Sequence, residues 1–237
     1  MIILVTGASR GIGREIAKSL ALKGNKVIAN YNKSEEQAKS LQEISGNIEI
    51  YKADVSNRKE VKQMVQYVLN KYGKIDVLVN NAGISENKLF TDVSDKDWQN
   101  IINTNLYSAF CVTQEVVPNM IHNKNGCIIN ISSVWGMVGA ACETVYSVAK
   151  AGIDAMTKSL AKEFGPSNIR VNSIAPGIID TDMNKNLTQH DIENIKNEIP
   201  LERIGSTVDI SKCVEWLIED RYTTGQIISI NGGWVII

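Results

Sequence analysis

Three glycines fall within eight residues in TGASRGIG, residues 6–13, directly after the apolar run that opens the chain. A backbone without Cβ atoms can bring its N–H groups up to a pyrophosphate, and a helix starting there adds the favourable end of its dipole. The spacing Gly7-x-x-x-Gly11-x-Gly13 departs from the G-x-G-x-x-G dinucleotide fingerprint, so by itself the stretch reads equally well as a flexible loop. A further test lies at the end of the following strand, where NAD binders place a carboxylate against the ribose 2′-hydroxyl. Tyr31, Asn32 and Lys33 stand there instead. A carboxylate would repel a 2′-phosphate, so its absence, with Arg10 in the loop and Lys33 after the strand, favours NADP over NAD. The alternative is that both cations are merely solvated. Far downstream, Tyr146 and Lys150 are four residues apart in a helical stretch, which puts a phenol and an ammonium on one face, one turn apart. Such a pair recurs by chance in many helices and needs support from elsewhere.

The elements that must position these groups alternate along the whole chain. Strand-like runs occupy 2–6, 26–31, 48–54, 75–81, 126–132, 169–175 and 226–231, several of them continuously apolar, as parallel strands covered on both faces require. Helical patterns lie between them at 11–23, 34–45, 57–72, 95–123, 144–164 and 207–219. In 57–72, Val61, Met64, Val65, Val68 and Leu69 form one apolar stripe suited to covering a sheet. Strict alternation of this kind predicts a doubly wound α/β sheet. Residues 177–206 break the alternation and are too long for an ordinary connection. They are expected to form a lid near the carboxyl ends of the strands, the plain alternative being a surface excursion.

Composition excludes several classes. With 43% hydrophobic and 22% charged residues the chain is an ordinary globular one, and its 237 residues fit a single domain, 1–237. Basic and acidic residues number 25 and 26, so no nucleic-acid partner is expected. No apolar run is long enough to span a membrane, and MIILVTG lacks the features of a signal peptide; a cytoplasmic protein is expected. Cys111, Cys127, Cys142 and Cys213 are widely spaced and make no zinc pattern, which points to reduced, mostly buried thiols and no metal. His122 and His190 sit in polar stretches that read as solvated surface.

Asp54 in KADVSN, Asn80-Asn81-Ala82-Gly83, Ser132-Ser133, Tyr146-Ser-Val-Ala-Lys150 and Pro176-Gly177-Ile-Ile-Asp-Thr181 follow TGASRGIG in order. Together they resemble the short-chain dehydrogenase/reductase family over essentially the whole chain. Within that family the likeness is greatest to 3-oxoacyl-(acyl-carrier-protein) reductases, including INISSV, IRVNSIAPG and INGG. The resemblance implies a Rossmann-like, doubly wound, seven-stranded parallel sheet with helices on both faces.

It also implies a catalytic set of Asn105, Ser133, Tyr146 and Lys150, with Ser133 chosen over Ser132 by its spacing of thirteen residues before the tyrosine. Tyr146 would exchange a proton with the carbonyl oxygen while the nicotinamide exchanges hydride with its carbon, and Ser133 would hold that oxygen. Lys150 and the oxidised nicotinamide would lower the phenol's pKa, and Asn105 would distort its helix and anchor a water leading from Lys150. Gly7, Ser9, Arg10, Gly11, Ile12 and Gly13 would cradle NADP(H), with Tyr31, Asn32 and Lys33 near the adenosine ribose and Asp54 and Val55 at the adenine. Asn81, Ala82 and Gly83 would line the adenosine side, and Pro176, Gly177, Ile179 and Thr181 the carboxamide. Tyr146 and Lys150 would also touch the cofactor.

The implied activity is NADPH-dependent reduction of a carbonyl, most readily a 3-oxoacyl thioester, to a secondary alcohol. The alternatives are an NAD(P)-dependent dehydrogenase of a sugar, polyol or hydroxysteroid, and a non-catalytic NADP-binding protein. Acyl carrier protein is a candidate partner, although such relatives carry arginine where Cys127 and Ser167 stand here; Lys124, Lys162 and Arg170 are the candidates to compensate. Trp135, Met137 and Val138 give the loop after Ser133 an apolar character suited to a substrate cavity. The family habit implies a homotetramer built on the long helices after strands four and five and on the last strand.

Overall fold

The computed structural model describes residues 1–185 and 187–237; Asn186, inside the expected lid, lies outside the described residues. Seven strands, β1 Ile2–Val5, β2 Lys26–Tyr31, β3 Ile48–Lys52, β4 Val77–Asn80, β5 Gly126–Ile131, β6 Ile169–Pro176 and β7 Ile227–Ile230, make one sheet in the order β3-β2-β1-β4-β5-β6-β7. Every pairing is parallel. The chain moves outward from β1 to β3 and then returns to place β4 on the other side of β1. The loops after β1 and β4 therefore diverge and leave a crevice at their carboxyl ends, where sheets of this kind bind ligands.

Both faces of the sheet are covered. Alternate residues of β1 point to opposite sides: Ile3 and Val5 pack with Ile16, Leu20, Ile210, Val214 and Leu217 of α1 (Gly11–Leu22) and α2 (Thr207–Glu219). Leu4 packs with the stripe Val61, Met64, Val65 and Val68 of α3 (Arg58–Tyr72) and with Val112, Val116 and Met120 of α4 (Ser108–Asn123). Leu69 joins that stripe at its partly buried margin. Asn57 caps α3 by accepting from the N–H groups of Lys59 and Glu60, and Gly73 ends it at a φ of 77°.

The stretch 95–123 is not one regular helix. It begins as α5 (Asp95–Ile102), with a reciprocal Ser94–Asp97 capping box, widens into a π-helical turn over Asn103–Tyr107, and continues as α4. Between β5 and β6 the chain forms the short α6 (Val134–Val138) and the long α7 (Thr144–Phe164). A further helix, α8 (Gln189–Glu198), capped by Thr188 and Asp191, occupies the middle of 177–206. The ends of that segment are pinched together by a parallel bridge between Ile179 and Gly205, so it is an excursion closed at its base. Among the described residues no helix is long and apolar enough to cross a membrane. Cys111, Cys127 and Cys213 are buried free thiols, Cys142 is a half-buried one, and His122 and His190 are exposed.

At the β3 edge, Glu49 accepts hydrogen bonds from Tyr67, Tyr72 (2.6 Å) and Lys71 (2.9 Å). Burial alone would raise its carboxyl, but these donors outweigh burial and hold it at about 2. Stability from this charge is complete above the ordinary glutamate range and drains away as pH falls toward 2. Glu49→Gln should cost about 2 kcal/mol at pH 7, and the gap to wild type in denaturant melts should narrow steadily below pH 4.5. A gap independent of pH would disprove the assignment.

Candidate active site

The loop leaving β1 is held from two sides. Asn30, buried on β2, accepts from Gly7 N–H (3.3 Å) and donates to Ala53 O (2.9 Å). Asn81, after β4, donates to Thr6 O (2.9 Å) and Gly7 O (3.0 Å), while the Thr6 hydroxyl accepts from the N–H groups of Asn81 and Ala82. Close approach is possible only because side chains are missing. A Cβ on Gly7, whose φ is +62°, would lie 2.8 Å from Ala82 Cα, and one on Gly13 would lie 2.5 Å from Gly7 O. The first turn of α1 has neither a side-chain cap nor an acidic residue. Its N–H groups and positive dipole end therefore face the crevice uncompensated, a setting that fits a pyrophosphate.

Around this cradle the remaining expected cofactor residues gather at the carboxyl ends of the strands. Tyr31 is buried at the end of β2, with Asn32, Lys33 and Arg10 exposed. Neither Arg10 nor Lys33 forms an ion pair among the described residues. Val55 is buried; Asp54 accepts from the Ser56 hydroxyl (2.7 Å) and its N–H donates to Glu60 (2.7 Å). Gly177 hydrogen-bonds Ile230 O (3.0 Å) and leaves no room for a Cβ beside Asn231. Pro176 ends β6, Ile179 is buried, and Thr181 lies over Gly11, 3.5 Å from where its Cβ would be. The segment after β6 thus closes over the start of α1. A cleft of about 580 Å³ between them is lined by Gly11, Arg14, Thr181, Asn184 and Leu187.

Ser133, Tyr146, Lys150 and Asn105 converge beyond β5. Ser133 lies two residues past β5 and caps the start of α6, its hydroxyl accepting from Trp135 N–H (3.2 Å). Ser132 is turned away, donating to Lys150 O (3.2 Å). Tyr146 and Lys150 are both buried on α7, with Lys150 Nζ 5.5 Å from the centre of the Tyr146 ring and donating to Ile131 O (2.7 Å). Asn105 occupies the π turn, where its amide is locked to Ile84 by two 2.7 Å hydrogen bonds. Gly83 keeps the space between them clear: a Cβ there would stand 3.2 Å from Asn105 Oδ1 and 3.6 Å from Lys150 Nζ. The distortion expected at Asn105 is present, while its side chain is spent on the loop after β4.

Burial pushes the Tyr146 phenol up to about 12; the Ser133 hydroxyl beside it opposes the rise and Glu143 adds to it. In the protein alone the desolvation of a phenolate outweighs the neighbours of Tyr146, whereas the lowering implied by the resemblance depends also on the charge of an oxidised nicotinamide. Burial pulls Lys150 down to about 8, against the opposing pull of Asp154. Trp135 stacks edge-on against Trp234, 5.0 Å between ring centres, and Trp234 donates to Glu198 (3.1 Å) at the end of α8. Nothing in the sequence singles out Trp234, Asn30 and Asp154: isolated residues inside β2 and α7 or past β7 carry no local pattern.

A family model described as short chain dehydrogenase matches residues 1–192. The 3-oxoacyl-[acyl-carrier-protein] reductase FabG of Thermotoga maritima is 42% identical over 241 residues, covering 99% of this chain and 98% of that protein. The enzyme of the same name from Staphylococcus aureus strain Mu50 is 42% identical over 236 residues, with 97% and 96% covered. An uncharacterized oxidoreductase, YmfI of Bacillus subtilis, is 39% identical over 238 residues, with 98% and 97% covered.

Gly7→Ala tests the cradle. The strained φ and the contact with Ala82 should cost about 1–3 kcal/mol in a thermal melt, and dinucleotide affinity should fall at least tenfold by fluorescence titration. Unchanged affinity would place the dinucleotide elsewhere.

Proposed function

The chain belongs to the short-chain dehydrogenase/reductase family and is an oxidoreductase using a nicotinamide cofactor, and from that premise we propose that it reduces a ketone to a secondary alcohol with NADPH. The convergence of Ser133, Tyr146 and Lys150 beside the glycine cradle carries this reading. When bound, a reduced nicotinamide would supply the hydride for the carbonyl carbon. Tyr146, kept protonated by burial, is the proton donor to the carbonyl oxygen, and the Ser133 hydroxyl donates a hydrogen bond to the same oxygen. Lys150, fixed by Ile131 O, stabilises the phenolate left behind. Backbone oxygens of the π turn would hold the water that returns a proton, since the Asn105 amide is already engaged.

Gly7, Ser9, Arg10, Gly11, Ile12 and Gly13 would hold the pyrophosphate side; Asp54, Val55, Asn81, Ala82 and Gly83 the adenosine; and Pro176, Gly177, Ile179 and Thr181 the carboxamide. Tyr31 in place of an acid, with Arg10 and Lys33 exposed beside it, favours the 2′-phosphate. The pinched segment 177–206 is a lid over this site. A 3-oxoacyl thioester is the substrate best supported, through the likeness to reductases named for that substrate. Arg170 does not serve a carrier, because its guanidinium donates to Leu217 O (2.6 Å) and Ile218 O (3.2 Å), and Cys127 is buried. That leaves Lys124 and Lys162 for an acidic carrier, and it favours a carrier-free ketone or alcohol as the second reading. Exposed Tyr107 and Phe110, tilted at 6.0 Å on the π turn and α4, suit burial against another copy in a homotetramer.

Consumption of NADPH with acetoacetyl groups on coenzyme A and on acyl carrier protein, beside a sugar lactone and a simple ketoester, tests the substrate. The thioesters should turn over fastest, and a clear preference for the lactone or ketoester would overturn the thioester assignment. Tyr146→Phe should lower kcat by about 10²–10⁴-fold while leaving NADPH bound; full activity would refute the mechanism. Arg10→Glu with Lys33→Glu should cut the preference for NADPH over NADH by about tenfold or more, as expected for lost charge-assisted contacts.

A further inference from the structure

One turn beyond Lys150 on α7 lies a carboxylate that the proton donor and hydride path do not use. Asp154 is 5% exposed. Its Oδ1 accepts from the Ser173 hydroxyl on β6 (2.9 Å), and its Oδ2 is buried without a hydrogen-bond partner. Burial raises the Asp154 carboxyl above its ordinary range, and the Ser132 and Ser173 hydroxyls, Lys150 and Lys158 act against that rise. The cations near it are Lys150 and Lys158 on its own helix. The residue after β5 and strand β6 present the hydroxyls of Ser132 and Ser173 to this side of α7, and Ser132 links the two residues by bonding Lys150 O while lying beside Asp154. Glu143, before α7, acts on Tyr146 at the other end of the site.

We propose that Asp154 is a positioning residue for the reduction: from one turn below Lys150, its buried carboxylate keeps the ammonium in place as a cation. The geometry gives each partner what it lacks. Among the described residues Lys150 Nζ has one hydrogen-bond acceptor, Ile131 O, and lies beside the Tyr146 ring. Asp154 has one donor and an orphaned oxygen. A fixed negative charge behind the lysine opposes the loss of its proton, and it holds the cation where a phenolate forms.

This inference rests on the reduction proposed above, and its test separates the two. Asp154→Asn keeps the shape and removes the charge; Asp154→Val removes charge and hydrogen bonding together. Lys150 is active as a cation, so activity falls as pH rises through its pKa. Removing the negative charge should move that basic limb of kcat/KM to lower pH by about half a unit or more in both variants, with a loss that grows from pH 6 to pH 9. The Lys150 13Cε chemical shift, assigned with Lys150→Arg, reads the same titration without any substrate and should show the same displacement. A limb and a Lys150 titration that overlay wild type, or a rate lowered by one factor at every pH, would overturn the role of Asp154 and leave the reduction standing. Full activity in Tyr146→Phe would remove Tyr146 as the proton donor and leave the Lys150 titration to decide whether the two charges are coupled.

Discussion

An ammonium buried at position 150 is the constraint around which the site is built. A charge removed from water costs several kcal/mol unless nearby groups restore what solvation supplied. Ile131 O meets it directly at the end of β5, the face of Tyr146 lies at 5.5 Å, and Gly83 leaves the remaining side open. The close packing of α6 on α7 follows from the same need: Gly136 stands where a Cβ would lie 2.8 Å from the Lys150 backbone. Gly152, two residues past Lys150, does the same, letting α7 press against Leu106 in the π turn. Two glycines thus fix the helix that carries both Tyr146 and Lys150.

The cradle after β1 has a different kind of rigidity. A glycine-rich loop would be loose on its own, since glycine loses more conformational freedom on folding than any other residue. Asn30 and Asn81 remove that freedom by spending their side-chain amides on backbone groups of the loop and of neighbouring strands. The resemblance implies an adenosine contact for Asn81; the structure adds that its amide is a strut. Beneath both sites runs a buried polar layer in which Asn80 donates to Thr113 and Asn130, and Asn130 donates to Thr157, tying β4 and β5 to the helices on one face of the sheet.

The sheet was legible because several of its strands are continuously apolar and its helices amphipathic, whereas the strand order is seen only in the structure. The cradle was legible only after Ser133, Tyr146 and Lys150 supplied context, since its glycine spacing departs from the general fingerprint. Helix α8 escaped notice because its faces are largely exposed and polar, giving no periodic stripe. The π turn at Asn103–Tyr107 was invisible to apolar periodicity over 95–123, although the resemblance did mark a distortion at Asn105. Asp154 and Trp234 escaped for another reason: what they touch is brought together by the fold across β6, α8 and the end of the chain, and no local spacing encodes that.

The same π turn works as a phase shifter. One extra residue in a helix rotates everything beyond it by about 100° around the axis. Before the turn, Ile101 of α5 packs into the small cluster around Tyr146 and Ala149; after it, Cys111, Val112, Val116 and Met120 of α4 pack toward the sheet. A continuous α-helix could align one of these faces with its partner and would twist the other out of register. The local irregularity beside Lys150 is therefore also what lets a single run of chain serve two cores that lie in different directions.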